Sequence, residues 1–369
     1  MLVDLPVMPP VKPMLAKLAA DIPPGHLYEP KWDGFRSVIF RDGEEVQIGS
    51  RNERPMTRYF PEIVTAALAS LPPRCVVDGE IILVDPASNT LDFESLQLRL
   101  HPAASRVEKL AVQTPTSFVA FDLLALDEVD LSEVPFSGRR QLLEAALADA
   151  EPPVHLTPLT DDLALARTWF EVFEGAGLDG LVAKRADLRY QQDKRVMTKV
   201  KHVRTVDCVV AGYRTHKSDH RAVGSLMLGL YGEDGRLAPI GVIGALPMAR
   251  RRALFTELAP LVTGSSDHPW AWAVEDLPPT ARAAYASRWN AGKDLSFTPL
   301  PPERVVEARY DYMEGARLRH TAQFVRWRPD RDPASCTFSQ LETPSLFALT
   351  EVLAGRADGT GMPRAHPIR

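Results

Sequence analysis

Three strand-like apolar runs in this chain are each opened by an acid beside a glycine. Asp33-Gly34 precedes Ser37-Val38-Ile39-Phe40, Asp78-Gly79-Glu80 precedes Ile81-Ile82-Leu83-Val84, and Asp179-Gly180 precedes Leu181-Val182-Ala183. Burying an unpaired carboxylate costs several kcal/mol, so such acids need a cation, a hydroxyl or a metal in front of them. The first run is the densest, with Glu29, Lys31, Asp33, Gly34 and Arg36 close together. A lysine amine is ordinarily a cation at neutral pH (pKa ~10.4) and becomes a nucleophile only where its surroundings remove the proton. We read Lys31 as a nucleophile toward a nucleotide phosphate. Gly34 lets a phosphate approach the backbone, Asp33 can hold a metal or orient the amine, and Arg36 offers a planar fork for ribose or phosphate oxygens. Taken alone, these residues also fit a solvated turn with an exposed ion pair. The other segments decide between the two.

In chain order, the proline-rich residues 1–26 read as an extended arm with at most one helical turn around Met14 to Ala20. Arg41-Asp42-Gly43 has hairpin-turn chemistry between Val38-Phe40 and Glu45-Gly49. Ser50-Arg51-Asn52 closes the second strand, and an amphipathic helix is predicted over 61–71. Cys75–Val84 is a strand interrupted by Asp78 and Glu80, a helix follows near 93–100, and 118–124 is a further strand. Aromatics in strands are core by default, so of Phe118 and Phe121 only the one facing a pocket can stack on a base. Helical periodicity at 137–149 and 161–175 ends at Gly177. The strand 178–184 carries Asp179, an isolated carboxylate of the kind that shares a divalent metal with phosphate oxygens. In Met197-Thr198-Lys199-Val200-Lys201, period-two alternation puts two lysines on one strand face, where they repel unless an anion lies in front of them.

A boundary is placed near 203–206. Beyond it, short strands at 206–213, 225–231, 237–243, 304–312 and 322–327 surround one helix at 248–261, the pattern of a small barrel. A Pro- and Trp-rich segment spans 262–302, and Arg214 to Arg221 forms a basic loop suited to phosphate contacts. Residues 346–369 read as a short helix and a tail. With 369 residues, two or three domains have room for a core. The net charge of −5 excludes a uniformly positive coat, so a nucleic-acid surface has to be local. Residues 184–221 supply one candidate, with eleven Lys/Arg against four acids. Three scattered cysteines without metal-ligand spacing fit a reduced, cytoplasmic protein. The first residues lack a signal-peptide pattern, and no run approaches a membrane span.

The ordered set Lys31-Trp32-Asp33-Gly34-Phe35-Arg36, Ser50-Arg51-Asn52, Asp78-Gly79-Glu80, Phe121-Asp122, Asp179-Gly180-Leu181-Val182-Ala183-Lys184 and Lys199-Val200-Lys201 closely resembles the nucleotidyltransferase motifs of ATP-dependent DNA ligases. Each motif is weak alone, and the order of six is specific. Arg317 to Arg331 looks like the final ligase motif. The similarity covers about 25–345 and is greatest to the small bacterial ligases of the C type.

The resemblance implies an α+β fold, with an antiparallel-sheet nucleotidyltransferase (ATP-grasp-like) domain over 1–204, an OB-fold barrel over 205–345 and a terminal helix and tail over 346–369. It implies that ATP adenylylates Lys31, that Glu29 lines the adenine site, that Arg36 and Glu80 meet the ribose and that Phe121 stacks on the base. Lys199 and Lys201 would contact the α-phosphate, Arg51 the 5′-phosphate of the nick, and Arg326 and Arg328 the leaving pyrophosphate in a closed state. Glu80 and Asp179 would hold magnesium, with manganese as the alternative. The implied substrate is nicked duplex DNA and the implied enzyme a nucleoid-associated cytoplasmic monomer, serving replication, recombination or repair beside DNA-repair proteins.

The chain departs from the family pattern at Asp179, usually glutamate, at Met197, often tryptophan, and at Arg331, usually lysine. The competing enzymes are an RNA ligase and an mRNA-capping guanylyltransferase, which share the lysine chemistry. They are separated by whether GTP labels the protein and whether RNA is sealed. A non-catalytic DNA-binding protein is opposed by the intact Lys31, Glu80 and Lys199.

Overall fold

The structure, a computed structural model, describes residues 4–264, 268–271, 296–311, 313–341 and 344–356. Its contacts divide into two compact units, residues 1–201 with 344–369, and residues 202–343. Most of the Pro- and Trp-rich segment at 262–302 lies outside the described residues. Among the described residues, no helix is long and apolar enough to cross a membrane.

The first unit is built on two sheets. The strands β1 (Leu15–Ala19), β2 (Leu27–Pro30), β3 (Phe35–Asp42), β4 (Glu45–Ser50) and β5 (Arg74–Asp85) are followed by β6 (Thr116–Leu126), β7 (Val154–Leu156), β8 (Gly180–Lys184) and β9 (Arg195–Lys201). The larger sheet runs β4-β3-β5-β6, with β7 parallel on β6. The smaller runs β1-β9-β8-β2, antiparallel except for the parallel pair β1 and β9. The helical turn expected around Met14 to Ala20 is therefore a strand. Pairing with β9 satisfies its backbone groups, which local propensity could not foresee.

Alternation along the strands sorts the core. Ile39, Val77 and Leu123 point to one face of the larger sheet, where helix α1 (Pro61–Ser70) supplies Ile63 and Ala67 and the short α2 (Phe93–Leu98) supplies Leu96. Val38, Phe40, Val76 and Leu124 point to the other face and pack with Met14, Tyr190 and Met197. Helix α3 (Ala104–Gln113) escaped the sequence reading; only Val107 and Leu110 of its apolar residues are buried. Helices α4 (Phe136–Ala146) and α5 (Leu163–Val172) follow the expected periodicity, and Gly177 caps the turn after α5 with φ 87°.

The second unit contains β10 (Arg204–His216), β11 (Asp219–Tyr231), β12 (Leu237–Ile243), helix α6 (Met248–Leu258), β13 (Val305–Tyr310) and β14 (Gln323–Trp327). Its strand order is β12-β11-β10-β13-β14. A parallel bridge between Ile243 and Ala322 joins the two ends of that order, which gives the closed topology of an OB-fold barrel. The basic loop expected over Arg214 to Arg221 is mostly strand. His216 pairs with Asp219, leaving Lys217 and Ser218 as a two-residue turn, so this is a hairpin tip.

Residues 344–356 belong to the first unit. Phe347, Leu349 and Val352 from this segment, which includes α7 (Leu349–Leu353), join Trp169 and Phe173 in one core. Phe347 lies 5.6 Å from the Phe173 ring. We expect Phe347→Ala to destabilise the first unit by about 3 kcal/mol, as other buried Phe truncations do. The check is chemical denaturation followed by protease sensitivity near Gly175, and unchanged unfolding would show that the segment adds little to this core.

Candidate active site

The site is assembled by strand register. Arg36 on β3 stands opposite Glu80 on β5, and Asp78 lies two residues away on the same face. Arg36 donates to Asp78 through Nε–Oδ1 and Nη2–Oδ2 contacts of 2.6 Å each. Tyr190 donates its hydroxyl to Asp78 Oδ2 at 2.7 Å, so the acid that orients Arg36 is itself fixed. The Arg36 guanidinium lies 4.3 Å from the Phe121 ring centre.

Lys31 follows β2, where its amide donates to the Gly180 carbonyl at 2.9 Å. This places its amine 2.6 Å from Asp179, while Lys201 holds the other Asp179 oxygen at 2.7 Å. Gly180 makes this crossing possible. Its φ is 142°, and a Cβ there would meet the Val200 carbonyl oxygen at 1.9 Å. Gly34 has the same kind of constraint, since a Cβ would lie 2.2 Å from the Ile81 carbonyl oxygen.

A pocket of about 200 Å³ opens beside these groups. Glu29, Lys31, Arg36, Arg51, Glu80, Phe121 and Lys199, all singled out from the sequence, line it. Asp179 and Lys201 join through the Lys31 ion pair. Arg326 and Arg328 belong to the second unit, where Arg326 binds Glu307 at 2.6 Å and Arg328 binds Asp207 and Asp330 at 2.9 Å.

The electrostatics differ from group to group. Burial works against the charge of Asp179, but Lys31 and Lys201 overcome it and hold this carboxyl below the usual range. Burial pushes Glu80 up to about 8 against the pull of Arg36 and Lys31. Lys199 is pushed down by burial and by the like charges of Lys31 and Lys201.

Not every cation of the basic run over 184–221 is free at the surface. Lys184 is buried, with its amine 2.7 Å from Glu29, and Arg189 pairs with Glu133 at 2.9 Å. The sequence reading gave no role to Lys184, Arg140, Arg195 or Tyr190. For Lys184 a signal was available, because a lysine inside the apolar run Leu181-Val182-Ala183 needs a buried partner.

The description "ATP dependent DNA ligase domain" matches residues 13–201, and "ATP dependent DNA ligase C terminal region" matches 219–331. The chain belongs to the ATP-dependent DNA ligase family. It is 68% identical over 344 residues to DNA ligase C2 of Mycolicibacterium smegmatis, covering 92% of this chain and 97% of that one. To DNA ligase C of Mycobacterium tuberculosis it is 62% identical over 357 residues, covering 95% and 99%. A solved structure from work on Lig E DNA ligases, 16% identical, covers 85% of this chain and 99% of its own with a TM-score of 0.53, a likeness of fold. The ligase C relatives are thus spanned almost end to end.

In this ligase Tyr190 and Arg36 both donate to the buried Asp78, so the three are coupled. We expect Asp78→Asn to destabilise the protein by about 2–4 kcal/mol, because it leaves Arg36 without its counter-charge. Adding Tyr190→Phe to that variant costs less than Tyr190→Phe alone. Additive melting shifts in the two single and one double variants would refute the coupling.

Proposed function

We propose that this pocket transfers AMP from ATP to Lys31 and that the enzyme then seals a 3′-hydroxyl to a 5′-phosphate in nicked duplex DNA. The observation carrying this reading is the Lys31 amine at the wall of a pocket it shares with Arg36, Glu80, Phe121 and Lys199. Transfer at phosphorus asks a protein mainly for alignment and charge neutralisation.

Each step forms and breaks one P–O or P–N bond. Lys31, having given up its ammonium proton, attacks the α-phosphorus; the P–N bond forms, the nitrogen sheds a further proton to solvent, and the P–O bond to the departing pyrophosphate breaks. A 5′-phosphate oxygen of DNA then attacks the same phosphorus, and the lysine nitrogen takes up a proton as the P–N bond breaks. Finally the 3′-hydroxyl attacks the 5′-phosphorus, losing its proton, and AMP leaves. Attack needs the amine's lone pair, so the Lys31–Asp179 contact of 2.6 Å has to open as the triphosphate enters. Lys199 and Lys201 then face the α-phosphate, Arg36 and Glu80 the ribose, and the base lies against Phe121 with Glu29 at its edge. Arg51 is the contact for the 5′-phosphate of the nick, and Arg326 and Arg328 exchange their local carboxylates for pyrophosphate.

The family implies magnesium. Among the described residues there is no group of three His, Cys, Asp or Glu able to hold a metal alone. Magnesium commonly takes one or two carboxylates and fills its other positions with phosphates and water. Asp179, kept ionised by two lysines, and Glu80, whose raised carboxyl a divalent cation would draw back to the charged form, meet that smaller demand. When bound there, magnesium, or manganese on the same oxygens, neutralises phosphate charge.

The adenylation work falls to residues 1–204 and part of the DNA grip to the barrel of 205–345, with 346–369 as the terminal element. Three buried free cysteines support a reducing, cytoplasmic setting. We place the enzyme there as a monomer working beside DNA-repair proteins.

We expect Lys31→Ala to abolish the added AMP seen by intact mass after mixing with ATP and magnesium, while nicked-DNA binding persists. An adduct that survives would move the nucleophile elsewhere. Label taken only from GTP would favour the capping-type reading. At the barrel hairpin, Lys217 and Arg221 are exposed. Replacing both with alanine is expected to lower DNA affinity and reduce the slope of log K against log salt by about 1–2. An unaltered slope would remove the hairpin from the DNA contact.

A further inference from the structure

The chain passes between the two units twice, and both passages are short. At the first, β9 ends at Lys201 and β10 begins at Arg204, with only residues 202 and 203 between them. At the second, only residues 342–346 separate Leu341, packed against the barrel core, from Phe347, which is 4% exposed in the core of the first unit. At full extension the two passages reach about 10 Å and about 20 Å, and neither can be stretched further.

Both ends of the second passage are anchored. On the first unit, Phe347 donates its amide to the Gly175 carbonyl at 3.1 Å and Leu349 donates to the Asn89 carbonyl at 2.9 Å. Gly175 is shaped to this docking, since a Cβ there would lie 1.9 Å from the Ser345 carbonyl oxygen. On the barrel, the Asp207 carboxylate near the start of β10 accepts from Arg328 of the last motif at 2.9 Å. Gln340, where the second passage begins, accepts from the Asp207 amide at 3.3 Å and donates to its carbonyl at 3.2 Å. One strand end thus carries the last-motif arginine and both passages.

We propose that residues 344–356 are a second tether that positions the last motif. A body joined to another by one flexible passage can swivel about it, whereas two short passages leave it a swing about the line that joins them. The barrel then brings Arg326 and Arg328 back along one path at each turnover, and their effective concentration at the pocket is higher than one passage would give. The proposal rests on the reading that these arginines meet the leaving pyrophosphate, and adds what keeps them within reach. None of the tether's residues lines the pocket, so its effect on the chemistry runs through those two side chains.

The test inserts Gly/Ser runs of about five, ten and twenty residues between Thr343 and Pro344 of the full chain, which lengthens the second passage and leaves both cores as they are. Lys31 adenylylation is timed at ATP below saturation. The rate is expected to fall with each added length, to about a third or less with the longest run, as effective concentration falls with linker length. The same insertions in an Arg326→Ala/Arg328→Ala background are expected to change the rate by less than about 1.5-fold. A rate that does not follow length, or an equal fall in both backgrounds, overturns the proposal, because the segment would then serve packing alone.

Should the insertions fail to fold, Leu349→Ala/Val352→Ala, which loosens the docking, takes their place. It is expected to slow adenylylation in the unaltered background and not in the arginine-free one. An equal effect in both, or none in either, overturns the proposal. Arginine removal that leaves adenylylation at its unaltered rate, or unaltered protein that forms no adduct with ATP, overturns the underlying reading, and the proposal with it.

Discussion

The ion triplet of Lys31, Asp179 and Lys201 is the constraint on which the rest of the first unit turns. It joins the end of β2 to the antiparallel pair β8 and β9, so the Lys31 amine is fixed by two neighbouring strands. The register that makes it possible leaves no room at Gly180, where any side chain would strike the Val200 carbonyl. The same two strands set Lys199 opposite Val182, beside the triplet, and its charge is opposed by both neighbouring lysines. A single anion thus restrains a cluster of cations that would otherwise repel.

Much of this was legible from residue order. Acid–glycine pairs ahead of apolar runs located β5 and β8, and period-two alternation placed Lys199 and Lys201 on one face of β9. These signals worked because they are local: a strand shows its faces in its own sequence. Other features failed because their causes are distant. Leu15–Ala19 becomes a strand through pairing with residues about 180 positions later, and Phe347 returns to a core laid down by Trp169 and Phe173. The charge count over 184–221 mixes two kinds of group for a related reason. Counting charge along the chain cannot distinguish Lys184, turned inward to Glu29, from Lys217, turned outward at a hairpin tip.

Lys217 also shows how a loop-like composition can fold as a hairpin. The segment from Arg214 to Arg221 has the polar composition of a loop, yet β10 and β11 run through most of it and reverse in two residues. Strand pairing outweighs composition there because each added rung closes backbone hydrogen bonds that a loop would leave to water.

Buried charge in this chain falls into two kinds, and the difference separates scaffold from site. Arg139 binds both oxygens of Asp122, at 2.7 and 2.9 Å, and donates through Nη1 to the Val134 and Leu188 carbonyls. That pair is matched charge to charge and holds β6 and α4 together. Glu29 is nearly as buried but has one oxygen without a hydrogen-bond partner, and the half-buried Glu80, its carboxyl lifted to about 8, carries a charge only when a cation draws off its proton. An incomplete buried charge is costly in the empty protein, since desolvation is not offset by a partner. The cost is concentrated at the pocket, where a ligand with matching donors and cations would relieve it. Binding then draws part of its free energy from strain that the fold already carries, and a ligand lacking those groups cannot draw on it.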